Sequence, residues 1–176
     1  MITRAQLVDV LFVIAPHSLL LDIAGPAEAF RLANQHRERR GLPPRFRLRF
    51  TAPNEAQVTS VGLMVAGLEP LPRELGANTW VVVVGQPTEH LGDVTPATAI
   101  IARWLNRTLA ASLRESSPNH RLVTICSGTL LAARAGLLGC RRCTTHHELL
   151  DTLRALAPTA KVIENRVFVV DGPIAS

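Results

Sequence analysis

Tyrosine is absent from this chain, and five Phe and two Trp are its only aromatic residues. So thin an aromatic supply argues against a stacking platform for nucleic-acid bases. Lysine is almost absent too: Lys161 stands alone among 19 basic residues, and the rest are Arg. Cysteine occurs three times, an odd number that does not suit a disulfide framework. No apolar run reaches the roughly 18 to 20 residues of a membrane span. The 11 Gly and 12 Pro follow no period, which excludes collagen-like and low-complexity classes. Charged residues make up only 19%, too few for a chain held open by repulsion. The stretch Met1 to Asp9 carries Arg4 and runs into strand-like sequence without a small-residue cleavage site. That predicts no secretory signal and a cytoplasmic protein with no membrane partner.

What is present is one domain's worth of core. The chain has 176 residues, 47% of them apolar, and a net charge of +5. The densest basic stretch, Arg37 to Arg49, reads as a solvated helix end, a turn at Gly41 to Pro44 and a strand with a polar face. Short apolar runs alternate with helical stretches. Leu7–Ala15, Trp80–Val84 and Arg121–Ile125 read as buried strands, and Phe46–Ala52 as an alternating one. Residues 58–69 read as a hairpin around Gly62. Helices are expected over Ile23–Arg40, with Pro26 near its start, over Pro96–Leu113, over Ser127–Leu138 ending at Gly139, and over His147–Ala157. Thr144–Thr145, Lys161–Glu164 and Val167–Val170 are expected as short strands. Strands alternating with helices predict a mostly parallel sheet covered on both faces, with its site beyond the carboxyl ends of the strands.

Cys126 is the first candidate for chemistry. It follows a strand directly, and Ser127-Gly128 opens a helix behind it. This strand–Cys–Ser–Gly–helix order is that of a nucleophile elbow, which lifts the sulfur above the sheet. A helix N-terminus favours thiolate over thiol. A small buried cysteine filling a gap fits the same spacing. Gly85 ends the Trp80–Val84 strand, where its N–H is placed to serve an oxyanion hole. Asp22 sits among Leu19, Leu20, Leu21, Ile23 and Ala24, and a carboxyl in such company needs a partner. Glu28 reads as a solvent-facing helical residue.

These residues resemble one family. Asp22-Ile23-Ala24-Gly25-Pro26-Ala27-Glu28-Ala29-Phe30, Cys126-Ser127-Gly128, Ala135-Gly136-Leu137-Leu138 and Thr144-Thr145-His146 are similar to the class I glutamine amidotransferase-like superfamily, in its intracellular-protease and Parkinson's-disease-protein branch. Within that branch the pattern resembles the N-terminal domain of AraC-type transcription regulators, with isonitrile hydratase a near relative. The resemblance spans about residues 5–176. It implies an α/β flavodoxin-like three-layer sandwich with a mostly parallel sheet and a cysteine nucleophile elbow. It implies Cys126 as the elbow cysteine and Asp22 as the acid beside it, the pair that is catalytic in isonitrile hydratases. It places His146 where some members bring a histidine near the sulfur, in a Thr-Thr-His stretch the regulator domains also carry, so that His146 is catalytic or vestigial.

Two departures are visible. Gln86 follows Gly85 where many relatives have a second Gly, and the long helix that packs on the sheet after the final Ser is missing. The stop at Ser176 predicts that residues 1–176 form one such domain, cut before its last helix. A helix-turn-helix domain is expected downstream, and DNA would be read only there.

Cys140-Arg141-Arg142-Cys143 with His146 and His147 has a superficial likeness to a zinc site. Adjacent histidines on a strand point to opposite faces, so no metal is expected there. No cofactor is expected either. Two functions follow. In the first, the chain is a sensing or dimerisation domain of a regulator, binding a small molecule near Cys126 with Gly85, Ser127 and Gly128, as a homodimer. In the second, it is a cysteine-dependent enzyme of the isonitrile hydratase type, with Cys126 as nucleophile and Asp22 as acid/base.

Overall fold

A computed structural model describes residues 7–91, 94–115 and 118–176. The start of the Met1–Asp9 stretch, residues 1–6, lies outside the described residues. The apolar, β-branched run near the N-terminus forms β1 (Val8–Val13), buried along its whole length. It leads into α1 (Leu20–Arg39) and β2 (Phe46–Ala52). A small antiparallel hairpin follows, β3 (Ala56–Val58) and β4 (Met64–Ala66), turning near Gly62 at φ +81°. Next come β5 (Glu69–Pro70), β6 (Thr79–Val83), α2 (Pro96–Leu109), β7 (His120–Thr124) and α3 (Gly128–Arg134). The chain closes with β8 (Arg142–Cys143), α4 (Leu150–Leu156), β9 (Lys161–Val162), β10 (Val170–Asp171) and β11 (Ile174–Ala175).

Seven strands form the central sheet in the order β10-β11-β7-β6-β1-β2-β5. All neighbours are parallel except β10 and β11. Successive side chains of β1 point to opposite faces and feed two cores. Leu11 and Val13 join Val81, Leu122 and residues of α2, α3 and α4. Val10 and Phe12 join Ile23 of α1, with Phe30, Phe46 and Trp80 packed against them. The fold is therefore a flavodoxin-like sandwich of helices, sheet and helices.

The route of the chain matters for the site. From β1 it crosses to β2 on one side, while from β6 it crosses to β7 on the other. The direction of winding reverses between β1 and β6. Such a switch point leaves a crevice beyond the carboxyl ends of the two strands.

Local differences from expectation have physical reasons. Helix α1 begins at Leu20, three residues ahead of Ile23, because Asp22 and Ile23 already bond back to the Leu19 carbonyl. Pro26 thus lies inside the helix rather than near its start. Helix α3 stops well before Gly139. Gly136, at φ +70°, bonds to the Ala133 carbonyl while Leu137 bonds to Ala132, the double closure of a Schellman end. The strand expected at Thr144–Thr145 falls at Arg142–Cys143 and pairs with β9. The stretch expected as Val167–Val170 is strand only at its last residue, and Val167 and Phe168 are exposed. Among the described residues no helix is long and apolar enough to cross a membrane.

Candidate functional site

The site grows from two chain reversals at the switch point. After β7, Ile125 bonds to the Val83 carbonyl, continuing the ladder, and Gly128 bonds back to Ile125 to start α3. Cys126 lies between them at φ +53°. That left-handed conformation is costly for a residue with a Cβ and marks a position held by its surroundings. One holding contact is the Thr145 hydroxyl, which donates to the Cys126 carbonyl at 2.9 Å. Gly128 is needed for packing: a Cβ there would lie 2.3 Å from the Val83 carbonyl oxygen. It seats α3 on β6 and offers no free face to a ligand.

Gly85 brings the groups together. A Cβ on Gly85 would meet Asp22 Oδ2 at 2.8 Å, Cys126 Cβ at 3.0 Å and Ser127 Oγ at 3.0 Å. Only glycine leaves room for these three side chains to converge over the end of β6. Asp22, in the first turn of α1, accepts the Gly85 N–H at 3.2 Å. The donor expected to serve an oxyanion is thus held by a carboxyl. Ser127 is buried and ties down the next peptide from both sides. Its Oγ accepts the Gln86 N–H and donates to the Gln86 carbonyl, both at 2.7 Å.

Burial sets the electrostatics. It raises the Asp22 pKa, with the Gly85 N–H pulling partly back. Burial also raises the Cys126 pKa, the Ser127 N–H opposes that, and the neighbouring Asp22 adds to the rise. The helix N-terminus therefore does not win at the sulfur: α3 has only seven residues, and desolvation outweighs its donor. Burial thus works against the charged form of both groups.

The structure thus brings Cys126, Asp22 and Ser127 together over Gly85 at the end of β6. His146 follows Thr145, whose hydroxyl holds the Cys126 carbonyl. Its Nδ1 is 3.8 Å from Glu148, and its ring lies 4.3 Å from that of His147. The two histidines face each other because they open a 3-10 turn and not a strand. Cys140 is exposed and Cys143 buried. Among the described residues no three His, Cys, Asp or Glu are grouped to hold a metal ion. Glu28 pairs with Arg31 in solvent at 2.6 Å. Sequence reasoning missed Thr145 and Gln86. Thr145 stands in the Thr-Thr-His stretch, where only the histidine was a candidate for chemistry.

No family model matches the chain. An uncharacterized protein from the region 5′ of cpoL in Streptomyces lividans is 30% identical over 142 residues, covering 80% of this chain and 88% of that protein. The crystal structure of an AraC family transcriptional regulator from Pseudomonas putida superposes with a TM-score of 0.73 at 19% identity, over 96% of this chain and 82% of that one. DJ-1beta of Drosophila melanogaster gives a TM-score of 0.66 at 15% identity, over 97% of this chain and 81% of that one. At these identities the solved structures show a shared fold, the one the sequence motifs implied.

Proposed function

We propose that this chain, which belongs to the same family as the Streptomyces lividans protein and has the fold of AraC-type regulator domains and DJ-1 proteins, is the ligand-sensing or dimerisation domain of an AraC-type transcription regulator. A small molecule enters the hollow over Gly85 and meets Cys126 and Asp22. DNA is read by a helix-turn-helix domain outside these 176 residues, and the working form is a homodimer. Binding acts on DNA affinity only as far as the molecule prefers one of two domain arrangements.

One observation carries this reading: half-buried Cys126 and Asp22 converge over Gly85 at the switch point. Such a pair offers hydrogen bonds to a small polar ligand. The decisive experiment reads the gene beyond codon 176. A helix-turn-helix sequence in frame supports the regulator, and a stop codon there overturns it.

The convergence of Asp22 and Cys126 over Gly85 favours a second reading, cysteine-dependent hydration of an isonitrile. The sulfur adds to the terminal carbon as Asp22 takes the thiol proton and passes it to that carbon, giving a thioimidate. Water then displaces the sulfur to leave a formamide, and the thiol regains its proton. Turnover of an alkyl isonitrile by the chain, abolished in Cys126→Ser, supports this route. Equal rates from both proteins, or none from either, remove it.

A further inference from the structure

A hollow opens at the same switch point, with Gln86 in its lining. Its volume is about 470 Å³, and neither Cys126 nor Asp22 lines it. It lies between the turn after β1, the loop after β6 and the first turn of α2. Pro16 and Ile100 give it apolar wall, and His17 and His90 add a flat one, their rings stacked at 4.0 Å and 13°.

Its polar groups define what it accepts. Gln86 is only 9% exposed. Its Nε2 donates to the Pro16 carbonyl at 2.6 Å, which fixes the amide orientation and leaves Oε1 without a partner among the described residues. Glu89 adds a carboxylate to the lining. The start of α2 adds a donor: Thr95 caps the Thr98 N–H, and Pro96 has none, so the Ala97 N–H is left over.

Either net charge on a ligand meets an opponent here. An anion faces Glu89, and a cation faces the positive end of a 14-residue helix. A neutral group that carries both a donor and an acceptor opposes neither. We propose that this hollow binds a small neutral ligand with a primary carboxamide on an apolar body. The amide N–H donates to Gln86 Oε1, its carbonyl accepts the Ala97 N–H, and the apolar body lies against Pro16, Ile100 and the stacked imidazoles. The proposal does not rest on the chemistry of Cys126.

The test is a titration of the isotope-labelled chain with benzamide, benzoate and benzylammonium, three probes of one size, followed by NMR. Benzamide is expected to shift the Ala97 backbone amide and the Gln86 side-chain amide saturably. The two ions are expected to bind at least about fivefold more weakly. Ala97→Phe fills the hollow and is expected to weaken benzamide by about tenfold or more, while the Cys126 alkylation rate stays unchanged. Three results overturn the proposal: no saturable benzamide shift up to its solubility limit, equal affinity for all three probes, or full benzamide affinity in a folded Ala97→Phe. If that variant does not fold, the wild-type shifts and the ranking of the probes decide the matter alone.

Discussion

Asp9 and Asp22 flank the same strand and live under opposite regimes. Asp9, on β1, is 7% exposed and takes two hydrogen bonds from the Arg47 guanidinium, each at 2.5 Å. A buried carboxylate so matched is a structural fixture, its charge answered in kind by a planar fork. Asp22, beyond the carboxyl end of β1, takes one backbone N–H and pairs with no cation among the described residues. Its surroundings leave the negative charge under-compensated. The amino end of the sheet has its polar group paired, whereas the carboxyl end leaves one ready to change state. Sites are where such local dissatisfaction is retained.

The first test of this contrast is Arg47→Ala. It strands Asp9 near the amino end of β1 and is expected to destabilise the chain by about 2 kcal/mol in urea unfolding, below the range for a fully buried pair because Arg47 is largely exposed. A loss below about 0.5 kcal/mol would put Asp9 on the same footing as a surface residue. Gly85→Ala comes next. Its methyl must displace Asp22, Cys126 or Ser127, and a loss of about 2 kcal/mol is expected by the same measurement. No loss would mean the hollow is wider than its contacts imply.

Asp22→Asn is expected to act in the opposite direction. The raised pKa means that native Asp22 holds its proton to higher pH than the unfolded chain does. Its contribution is full below the ordinary carboxyl value of 3.8 and is lost as pH rises through the folded value. The amide keeps an acceptor for Gly85 but never ionises. The Asn variant is therefore expected to gain in Tm on the natural chain as pH rises above about 4. A pH-independent difference would show that Asp22 is not strained by its charge. The smallest effect falls on the sulfur. Alkylation of Cys126 by iodoacetamide at pH ~8 is expected to be slower than that of a free thiol, and about twofold faster in Asp22→Asn, where the opposing charge is gone. A rate above the free-thiol value in the natural chain would reverse the account of that site.

Much of this was legible in the residues. The runs at Val8–Val13 and Thr79–Val83 declared buried parallel strands because both of their faces are covered. Cys126-Ser127-Gly128 after a strand pointed to a tight turn into a helix because the turn needs a residue with no side chain where α3 meets β6. What escaped was set by partners far away in sequence. The Asp9–Arg47 pair spans 38 positions, and the ties between Gln86 and Ser127 span 41. No local pattern announces them. The stretch before β10 misled because Val167-Phe168-Val169-Val170 has strand composition but meets a neighbour only where β11 returns beside it. The balance at Cys126 also escaped, since spacing places a helix end but does not weigh it against burial.

The twisted backbone at Cys126 has a consequence for anyone who would silence the thiol. A residue with a Cβ carries a penalty of about 1–2 kcal/mol in that conformation, least for Asn and Asp, and glycine is spared it. Swapping in serine or alanine deletes the sulfur and keeps the penalty. Swapping in glycine deletes both, so the mute protein would outlast the natural one on heating. The chain thus gives up durability at one position for as long as it keeps a sulfur there.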